Sequence, residues 1–392
     1  MNVRRRFPKS RRGKILVMTA LLIPVLFGAA LVSTDTAVLV NAHAQLETVA
    51  DASALGGAMV LADETRLRNA TNLSALMATA RTKVIAIAGQ NRVLNAAPVV
   101  ANNSTNLATG DIVIGYLAAT DTTSSGLVTT GSQANYNSVK VVAARDATHG
   151  GQVPTFFGGA VGVGGKDVSV NSTATIQNYT IQGFKSVNSA RVNLLPIVLD
   201  KTTYDAMIAR TTADQYFYCP PPNPSVSAGA DGVPESQLYP VGTGSPGNFG
   251  TVKIGVTNNS TATLVDQIDN GISASQMATF SGGVIQLNTS LNPPSISFGG
   301  NPGLSAGIKD ALIAKIGKTV MIGIYDQVTG NGSNSSYRVV AFAAVRVMAV
   351  NFQGNPKYVV VQPALVKDTS ILPGSVQPSW TRGGYVRVWL SR

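Results

Sequence analysis

The strongest constraint on this chain is a run of twenty uncharged and mostly apolar residues, Ile15–Thr34. A helix of that length rises about 30 Å, which matches the hydrocarbon layer of a bilayer. Pro24 lies near the middle, where it would weaken a helix in water but is tolerated as a kink in a membrane helix. A buried core helix is the alternative, and the basic residues before the run disfavour it. We therefore predict a transmembrane helix over Ile15–Thr34, with the lipid bilayer as its partner.

The positive charge of the chain is concentrated before this run. Residues 1–14 hold seven basic side chains and no acidic one, whereas the rest of the chain holds 23 basic and 19 acidic side chains. Basic flanks stay in the cytoplasm, so residues 1–14 are predicted to be a cytoplasmic tip. The chain would cross the cell (inner) membrane once, and its C-terminal region would be periplasmic or extracellular. Because the net charge of the body is small, we expect no nucleic-acid partner.

A cleaved signal peptide is the competing interpretation of the same segment. Ala42-His43-Ala44 resembles a signal-peptidase site, and cleavage there would give a mature chain that begins at Gln45. However, the apolar run is longer than the core of about 7–15 residues that signal peptides use, and the helical pattern continues through the site. The sequence favours a retained anchor, and both alternatives stay open.

A helical pattern continues beyond the apolar run. Apolar and small residues recur at alternating spacings of three and four, and a row of alanines recurs every four residues. Rows of small residues let helices approach closely, either within one domain or between two proteins. With a second helix expected over residues 66–90, residues 35–91 are predicted to form a stalk of membrane-proximal helices. The two rows are Leu39, Ala42, Leu46, Val49, Ser53, Gly56 and Val60, and Ala50, Ala54, Ala58 and Ala62.

The rest of the chain predicts an α+β fold in which sheet dominates. Residues 92–185 are predicted to be a β-rich region because they contain runs of β-branched residues bounded by turn formers. Residues 220–250 are dense in Pro, Gly and Ser and predict a long loop or a seam. Residues 186–392 are predicted to form a C-terminal α+β region. Strands are expected over 112–114, 139–144, 168–181, 251–256, 320–325, 337–352, 358–361 and 385–390, and helices over 262–271 and 303–316.

Residues 11–62 carry four features in a fixed order. These are Arg-Arg-Gly before the apolar run, Ile23-Pro24 inside it, Asp35 at its outer end, and the Gln-Leu…Ala-Asp-Ala-Ser-Ala-Leu-Gly-Gly-Ala stretch over residues 45–58. Together they resemble the N-terminal region of TadG-like proteins of the Flp, or tight-adherence (Tad), pilus-assembly system. The resemblance implies a membrane-anchored component whose partners are other pilus-assembly or envelope proteins. Further segments similar to TadG-like chains are residues 110–121, 137–146, 156–159, 168–176, 258–264, 303–318 and 361–366.

Two features of related proteins are not matched. A substrate of prepilin peptidase carries Glu five residues after the glycine, but Met18 occupies that position after Gly13, so processing as a pilin is not expected. TadG-like proteins often carry a von Willebrand A-type metal site with the pattern Asp-x-Ser-x-Ser. The stretch Asp121-Thr122-Thr123-Ser124-Ser125 approximates it, but residues 126–133 are rich in Gly, Thr and Ser and do not predict the helix that should follow. We expect no metal site there.

Other motifs also lack necessary chemistry. Gly303 to Gly307 matches the G-x-S-x-G nucleophile elbow, but no histidine follows Ser305, and only His43 and His149 exist in the chain. Residues 158–167 have the composition of a phosphate loop, yet Ala160 and Asp167 replace the first glycine and the metal-binding hydroxyl. The single cysteine, Cys219, excludes an intrachain disulfide, and with two distant histidines it disfavours zinc.

Two pairs of carboxylates have a spacing that could serve acid/base chemistry or calcium binding, namely Asp231 with Glu235 and Asp266 with Asp269. No other suitable residue converges on either pair. We therefore expect no catalytic, cofactor-binding or metal-binding residues. The sequence is interpreted as a non-enzymatic, membrane-anchored component of Flp/Tad pilus assembly or surface adherence. An envelope-anchored enzyme without a recognisable motif and a generic surface adhesin unrelated to pili remain the alternatives.

Overall fold

The computed structural model describes residues 12–68, 72–118, 126–162, 164–239, 250–257, 260–301, 306–352, 357–377 and 379–391. Most of the predicted basic tip therefore lies outside the described residues. The described part begins with one uninterrupted α-helix, Arg12–Leu61 (α1), which is 50 residues long. Pro24 lies inside this helix without ending it. The predicted transmembrane segment and the first helix of the stalk are thus one helix.

Helix α1 has two halves in different surroundings. Between Ile15 and Phe27 the large apolar side chains are 47% to 75% exposed, so this half is uncovered on all sides. From Ala42 onward one side of the helix is buried in the body of the protein. Both predicted rows of small and apolar residues are buried or half-buried there, which confirms the predicted helix face. The fully covered positions include Ala42, Leu46, Ala50, Ser53, Ala54 and Ala58.

The second helix, Ser74–Gln90 (α2), packs directly against α1. It follows a short 3₁₀ helix, Glu64–Arg68. A Cβ atom at Gly57 of α1 would lie 2.5 Å from Val84 Cγ2 of α2 and 3.2 Å from Val139 Cγ1 of the neighbouring sheet. Side chains larger than hydrogen do not fit there without displacement. The small residues of α1, the alanine row included, therefore serve close packing within the same domain.

The remaining described elements form the body of the protein. The helices are Lys201–Ile208 (α3), Thr261–Asn270 (α4), Ala274–Met277 (α5) and Lys309–Ile313 (α6). The first nine strands are Ile112–Gly115 (β1), Ser138–Arg145 (β2), Val153–Pro154 (β3), Gly165–Lys166 (β4), Val168–Lys185 (β5), Leu194–Asp200 (β6), Tyr216–Cys219 (β7), Ser225–Ala228 (β8) and Ser236–Tyr239 (β9). The others are Val252–Lys253 (β10), Val284–Gln286 (β11), Ile296–Gly300 (β12), Thr319–Thr329 (β13), Ser336–Asn351 (β14), Tyr358–Pro363 (β15), Leu365–Val366 (β16), Ile371–Val376 (β17) and Gly384–Ser391 (β18).

One large sheet connects most of these strands. Its main path runs β1-β2-β5-β14-β12-β10, and the other members pair off this path. The long strand β5 is the hub, because it pairs antiparallel with β2, β11, β14, β17 and β18. The sheet is mostly antiparallel, with parallel pairing of β6 to β13 and of β16 to β18. The sheet therefore contains strands from both the predicted β-rich region and the predicted C-terminal region.

Three apolar clusters fill the body. The first lies between α1, α2 and strands β1, β2, β5 and β18, and it contains the buried half of α1. The second surrounds β5, β13 and β14, where the rings of Phe184 and Phe342 meet edge to face at 4.9 Å. The third lies between β6, β13, β14 and helices α4 and α6. Helix α1 is thus a structural part of the first core, which fixes its direction relative to the sheet.

The α+β fold class is confirmed, with differences in individual elements. The strand predicted over residues 251–256 is only Val252–Lys253, and the helix predicted over 303–316 is a 3₁₀ turn at Ala306–Ile308 followed by α6. The prediction of a long loop or a seam over residues 220–250 was wrong in part, because this stretch contains β8 and β9, and residues 240–249 lie outside the described part. Strand β8 pairs with β7 and strand β9 with β15, so pairing with neighbours overrides the Pro- and Gly-rich composition.

The close packing of Gly57 against Val84 and Val139 leads to a prediction about stability. We expect Gly57→Ala to lower the free energy of unfolding by about 1–2 kcal/mol, because overpacking against Val84 and Val139 outweighs the better helix propensity of alanine. Gly89 of α2 is the matched control, since a Cβ there meets no atom within 4 Å. Gly89→Ala should raise stability by about 0.5–1 kcal/mol. Thermal unfolding of the detergent-solubilised chain measures both, and equal shifts for the two variants would contradict the close approach.

Candidate membrane-anchoring site

The outer end of the apolar run is fixed to the body through the side chain of Asp35. Its carboxylate accepts hydrogen bonds from three successive backbone N–H groups. Phe156 N lies 2.7 Å from Oδ1, Phe157 N lies 3.1 Å from Oδ2, and Gly158 N lies 2.9 Å from Oδ2. Successive N–H groups that point to one place form a concave site for an anion. Asp35 is therefore the residue that holds a distant loop against the helix.

The geometry of this loop explains why it accepts a carboxylate. Residues 155–164 connect β3 to β4, and a 3₁₀ helix, Gly158–Val161, begins inside the connection. The N–H groups at the start of such a helix have no partner within it. Asp35 supplies the acceptor for the first of these groups, Gly158 N, and also for the N–H groups of Phe156 and Phe157, which precede the helix. We refer to Asp35 and residues 156–158 together as the junction.

Two aromatic side chains lie on the junction. Phe156 is 72% exposed and Phe157 is 38% exposed. Outside α1, Phe156 has the highest exposed fraction of the large apolar side chains in the described part of the chain. The hydrogen bonds to Asp35 therefore hold these exposed rings beside the first residue after the predicted membrane span.

The opposite end of α1 is fixed by charged groups. Glu64 lies three residues beyond the last residue of α1, and both of its carboxylate oxygens lie 2.5 Å from the Arg346 Nη2 atom on β14. The Arg346 side chain is only 6% exposed, and its guanidinium lies 3.5 Å from the ring centre of Tyr218. Because Arg346 lies on β14, the ion pair connects the residues that follow α1 to the sheet. Removing Glu64 would leave the buried charge of Arg346 without compensation, which is strongly unfavourable.

Arg66 makes a second attachment at the same end. Its guanidinium is buried and donates to the carbonyl oxygens of Leu61, Ala134 and Tyr136, at 2.5 Å and 3.2 Å for the first two. It also lies 4.6 Å from the ring centre of Trp380. Burial lowers the pKa of Arg66 to about 10, and the nearby Asp63 opposes this shift. The residue stays charged at neutral pH. Helix α1 is thus attached to the body at both ends of its buried half.

His149 forms a compact cluster with two carboxylates. Its Nδ1 atom lies 2.8 Å from Asp146 Oδ1, and its Nε2 atom lies 3.1 Å from Asp111 Oδ2. Burial acts to lower the pKa of His149, but hydrogen bonding to Asp146 and the charges of both aspartates outweigh it and raise the pKa. Hydrogen bonds from Thr148 and His149 lower the pKa of Asp146 to about 2. Both ring nitrogens are therefore occupied by carboxylates.

Three of the four carboxylates in the two pairs noted in the sequence have structural contacts. Asp231 accepts the backbone N–H groups of Tyr218 and Val233, and Asp266 pairs with Arg191 at 2.8 Å. Glu235 accepts the N–H groups of residues 215 and 216, and burial raises its pKa to about 7 against these hydrogen bonds. Among the described residues, no group of three or more His, Cys, Asp or Glu side chains is arranged to hold a metal ion.

The remaining motifs are only partly described. The whole Asp121–Ser125 stretch and the Gly303–Ser305 part of the nucleophile elbow lie outside the described residues. The glycine-rich residues 158–167 form the connection that contributes Gly158 to the junction. The described part also contains a cleft of about 490 Å³, lined by Tyr204, Phe342, Gln377 and Arg382 among others. Its lining residues in this part include no Asp, Glu, His, Cys or Lys.

The described residues form one apolar helix near the N-terminus, followed by a β-rich body. This architecture defines the class of protein. Among the described residues, one helix is long and apolar enough to cross a membrane, and its most apolar stretch is entirely unburied. Comparison with protein families agrees with the resemblance found in the sequence. Residues 13–60 match the family described as putative Flp pilus-assembly TadE/G-like. The chain therefore carries a TadG-like region of the Tad family, and this region coincides with α1.

Searches of curated proteins and of solved structures found no match to this chain. The family match ends within α1, so it includes Asp35 but none of the body that Asp35 contacts. The sequence identified Asp35 and residues 156–159 only as separate parts of the TadG-like resemblance. Their contact was missed because 121 residues separate Asp35 from Phe156. The signal available in the sequence was the pair of adjacent phenylalanines, Phe156 and Phe157, next to two glycines. The apolar and polar residues around them do not alternate as they would in a strand.

The His149 cluster predicts a pH-dependent stability. The folded state holds the protonated imidazole more tightly than an unfolded chain does, so the stabilisation is complete below the ordinary histidine pKa of 6.5. It is lost as pH rises through the raised folded value. We expect His149→Ala to cost about 1–2 kcal/mol at acidic pH and clearly less at alkaline pH. Thermal unfolding across pH measures this, with the exposed His43→Ala as control. A cost that does not change with pH would contradict the prediction.

Proposed function

We propose that this protein is a membrane-anchored component of Flp/Tad-type pilus assembly or surface adherence that acts through protein contacts outside the cytoplasm. The observation that carries the proposal is the coincidence of the TadG-like region with α1. The first half of this helix is apolar and uncovered, and the second half is part of the core of the body. A bilayer supplies the apolar surroundings that the first half lacks.

The orientation follows from charge. Seven basic residues precede the apolar run, and Asp35, Glu47 and Asp51 follow it. Basic residues remain in the cytoplasm, so the N-terminus is inside and the body is periplasmic or extracellular. In the proposed topology the anchor is retained. Cleavage after Ala44 would remove Asp35, which holds the junction together, and Ala42, which is part of the first core. The cell (inner) membrane is therefore the proposed location.

The proposed mode of action is contact rather than catalysis. The described part of the 490 Å³ cleft offers no residue for general acid/base chemistry besides Tyr204 and Arg382, and burial raises the pKa of Tyr204 to about 12. The ring nitrogens of His149 are both held by aspartates. An envelope-anchored enzyme and a generic adhesin are the alternatives. The partners proposed here are other pilus-assembly or envelope proteins.

The single cysteine gives a direct test of orientation and anchor retention. Cys219 is partly exposed on β7, so a membrane-impermeant maleimide should label the native chain in cells whose outer envelope has been opened. In matched cells, a variant that combines Ser10→Cys with Cys219→Ser should react with the maleimide only after the membrane is dissolved. The labelled native protein should have an intact mass that includes residues 1–44. Labelling of position 10 from outside, or a mass beginning at Gln45, would reject the proposed topology.

A genetic experiment tests the role in pilus assembly. Deletion of the gene should abolish or strongly reduce surface pili and adherent cells, and the native gene should restore both. Leu22→Arg places a charge in the middle of the apolar run and should fail to restore them, because a charge at the bilayer centre costs about 2.5–3.5 kcal/mol or more. His43→Ala, an exposed position on the same helix, should restore them fully. Unchanged pili and adherence after deletion would reject the proposed function.

A further inference from the structure

We propose that Phe156 and Phe157 form a second membrane contact, in which the β3–β4 connection inserts its aromatic side chains into the outer interface of the bilayer. The partner is the boundary between lipid headgroups and acyl chains. This inference rests on the proposed anchoring of α1 in a membrane. It adds a contact that is distant in sequence from the apolar helix and lies outside the TadG-like region.

The position of the loop along α1 is the first argument. A span over Ile15–Thr34 fills the hydrocarbon layer, so Asp35 stands at its outer boundary. The backbone N–H groups of residues 156–158 donate directly to the Asp35 carboxylate. The loop cannot lie far from the bilayer surface while these hydrogen bonds exist. Its height is therefore set by the same helix that crosses the membrane.

The chemistry of the exposed side chains is the second argument. Phe156 leaves 72% of its surface uncovered in the protein, although an aromatic ring gains free energy from leaving water. Phe is among the apolar residues that interfacial segments bury at the boundary between headgroups and acyl chains.

The role of Asp35 is the third argument. Backbone N–H groups that enter an apolar environment without a partner are unfavourable. The carboxylate satisfies three of them in the segment that carries both rings. Asp35 therefore acts as a positioning residue that presents the rings at a defined height. Without it, the connection would lose its attachment to α1 and would no longer be held at the interface.

Depth measurement with tryptophan tests the proposal in the full-length protein. The chain is placed in bilayer nanodiscs of phosphatidylcholine and phosphatidylglycerol, with and without lipids that carry bromine on the acyl chains. Phe156→Trp replaces one aromatic ring by another, and the native chain provides the background emission of Trp380 and Trp389. Leu22→Trp is the control inside the bilayer. Met59→Trp is the control in water, because Met59 is 53% exposed and lies about 36 Å further along α1 than Asp35.

We expect the added emission of Phe156→Trp to be blue-shifted and quenched by the brominated lipids, to an extent between those of the two controls. Adding Asp35→Ala to Phe156→Trp should reduce the blue shift and the quenching toward the values of Met59→Trp. Asp35→Asn keeps one acceptor oxygen and should have a smaller effect. Unquenched emission at position 156 with quenched emission at position 22 would overturn the second contact and leave the anchor intact. Unquenched emission at both positions would reject the anchor itself. Quenching at position 156 that is insensitive to Asp35→Ala would reject the positioning role.

Discussion

The structure depends on one continuous helix that passes between two surroundings. The backbone hydrogen bonds of an α-helix are internal, so α1 needs no outside partner for its main chain in either half. The side chains of α1 determine which surroundings each half of the helix requires. Between Ile15 and Phe27 they are large, apolar and uncovered, whereas from Ala42 onward those on one side of the helix are buried against α2 and the sheet. Because the helix does not break between the halves, the direction of the apolar half determines the orientation of the body.

The two ends of the buried half are fixed by different kinds of interaction. At the end nearer the apolar half, the hydrogen bonds that Asp35 accepts from Phe156 and Phe157 are exposed at the surface of the protein. At the far end, Glu64 meets a nearly unexposed Arg346, and a buried charge without its partner is strongly unfavourable. The far end is therefore the firmer attachment. Local opening of the junction can release the β3–β4 connection while the core around α1 stays intact.

The sequence predicts the elements whose pattern is local. The apolar run and the alternating spacing of three and four are properties of α1 alone, and both were sufficient to place its buried face. Strand β6 was missed because all seven of its residues are buried between neighbours, which removes the alternation that identifies a strand, and it contains Pro196. Helix α3 was missed because its composition is weak for a helix. It is stabilised by Asp200, whose side chain accepts the Thr203 N–H at 2.9 Å.

The junction could not be predicted for a different reason. Each of its parts is visible in the sequence, but the contact joins the end of α1 to a connection that becomes its neighbour only after β2, β5 and α1 have packed together. Nothing in the local pattern of either segment carries that information. The same packing gives the junction its function in the proposed mechanism. A body whose height and direction are set by a rigid helix presents its outer surfaces to partners at a fixed distance from the membrane, as a protein that acts through contacts requires.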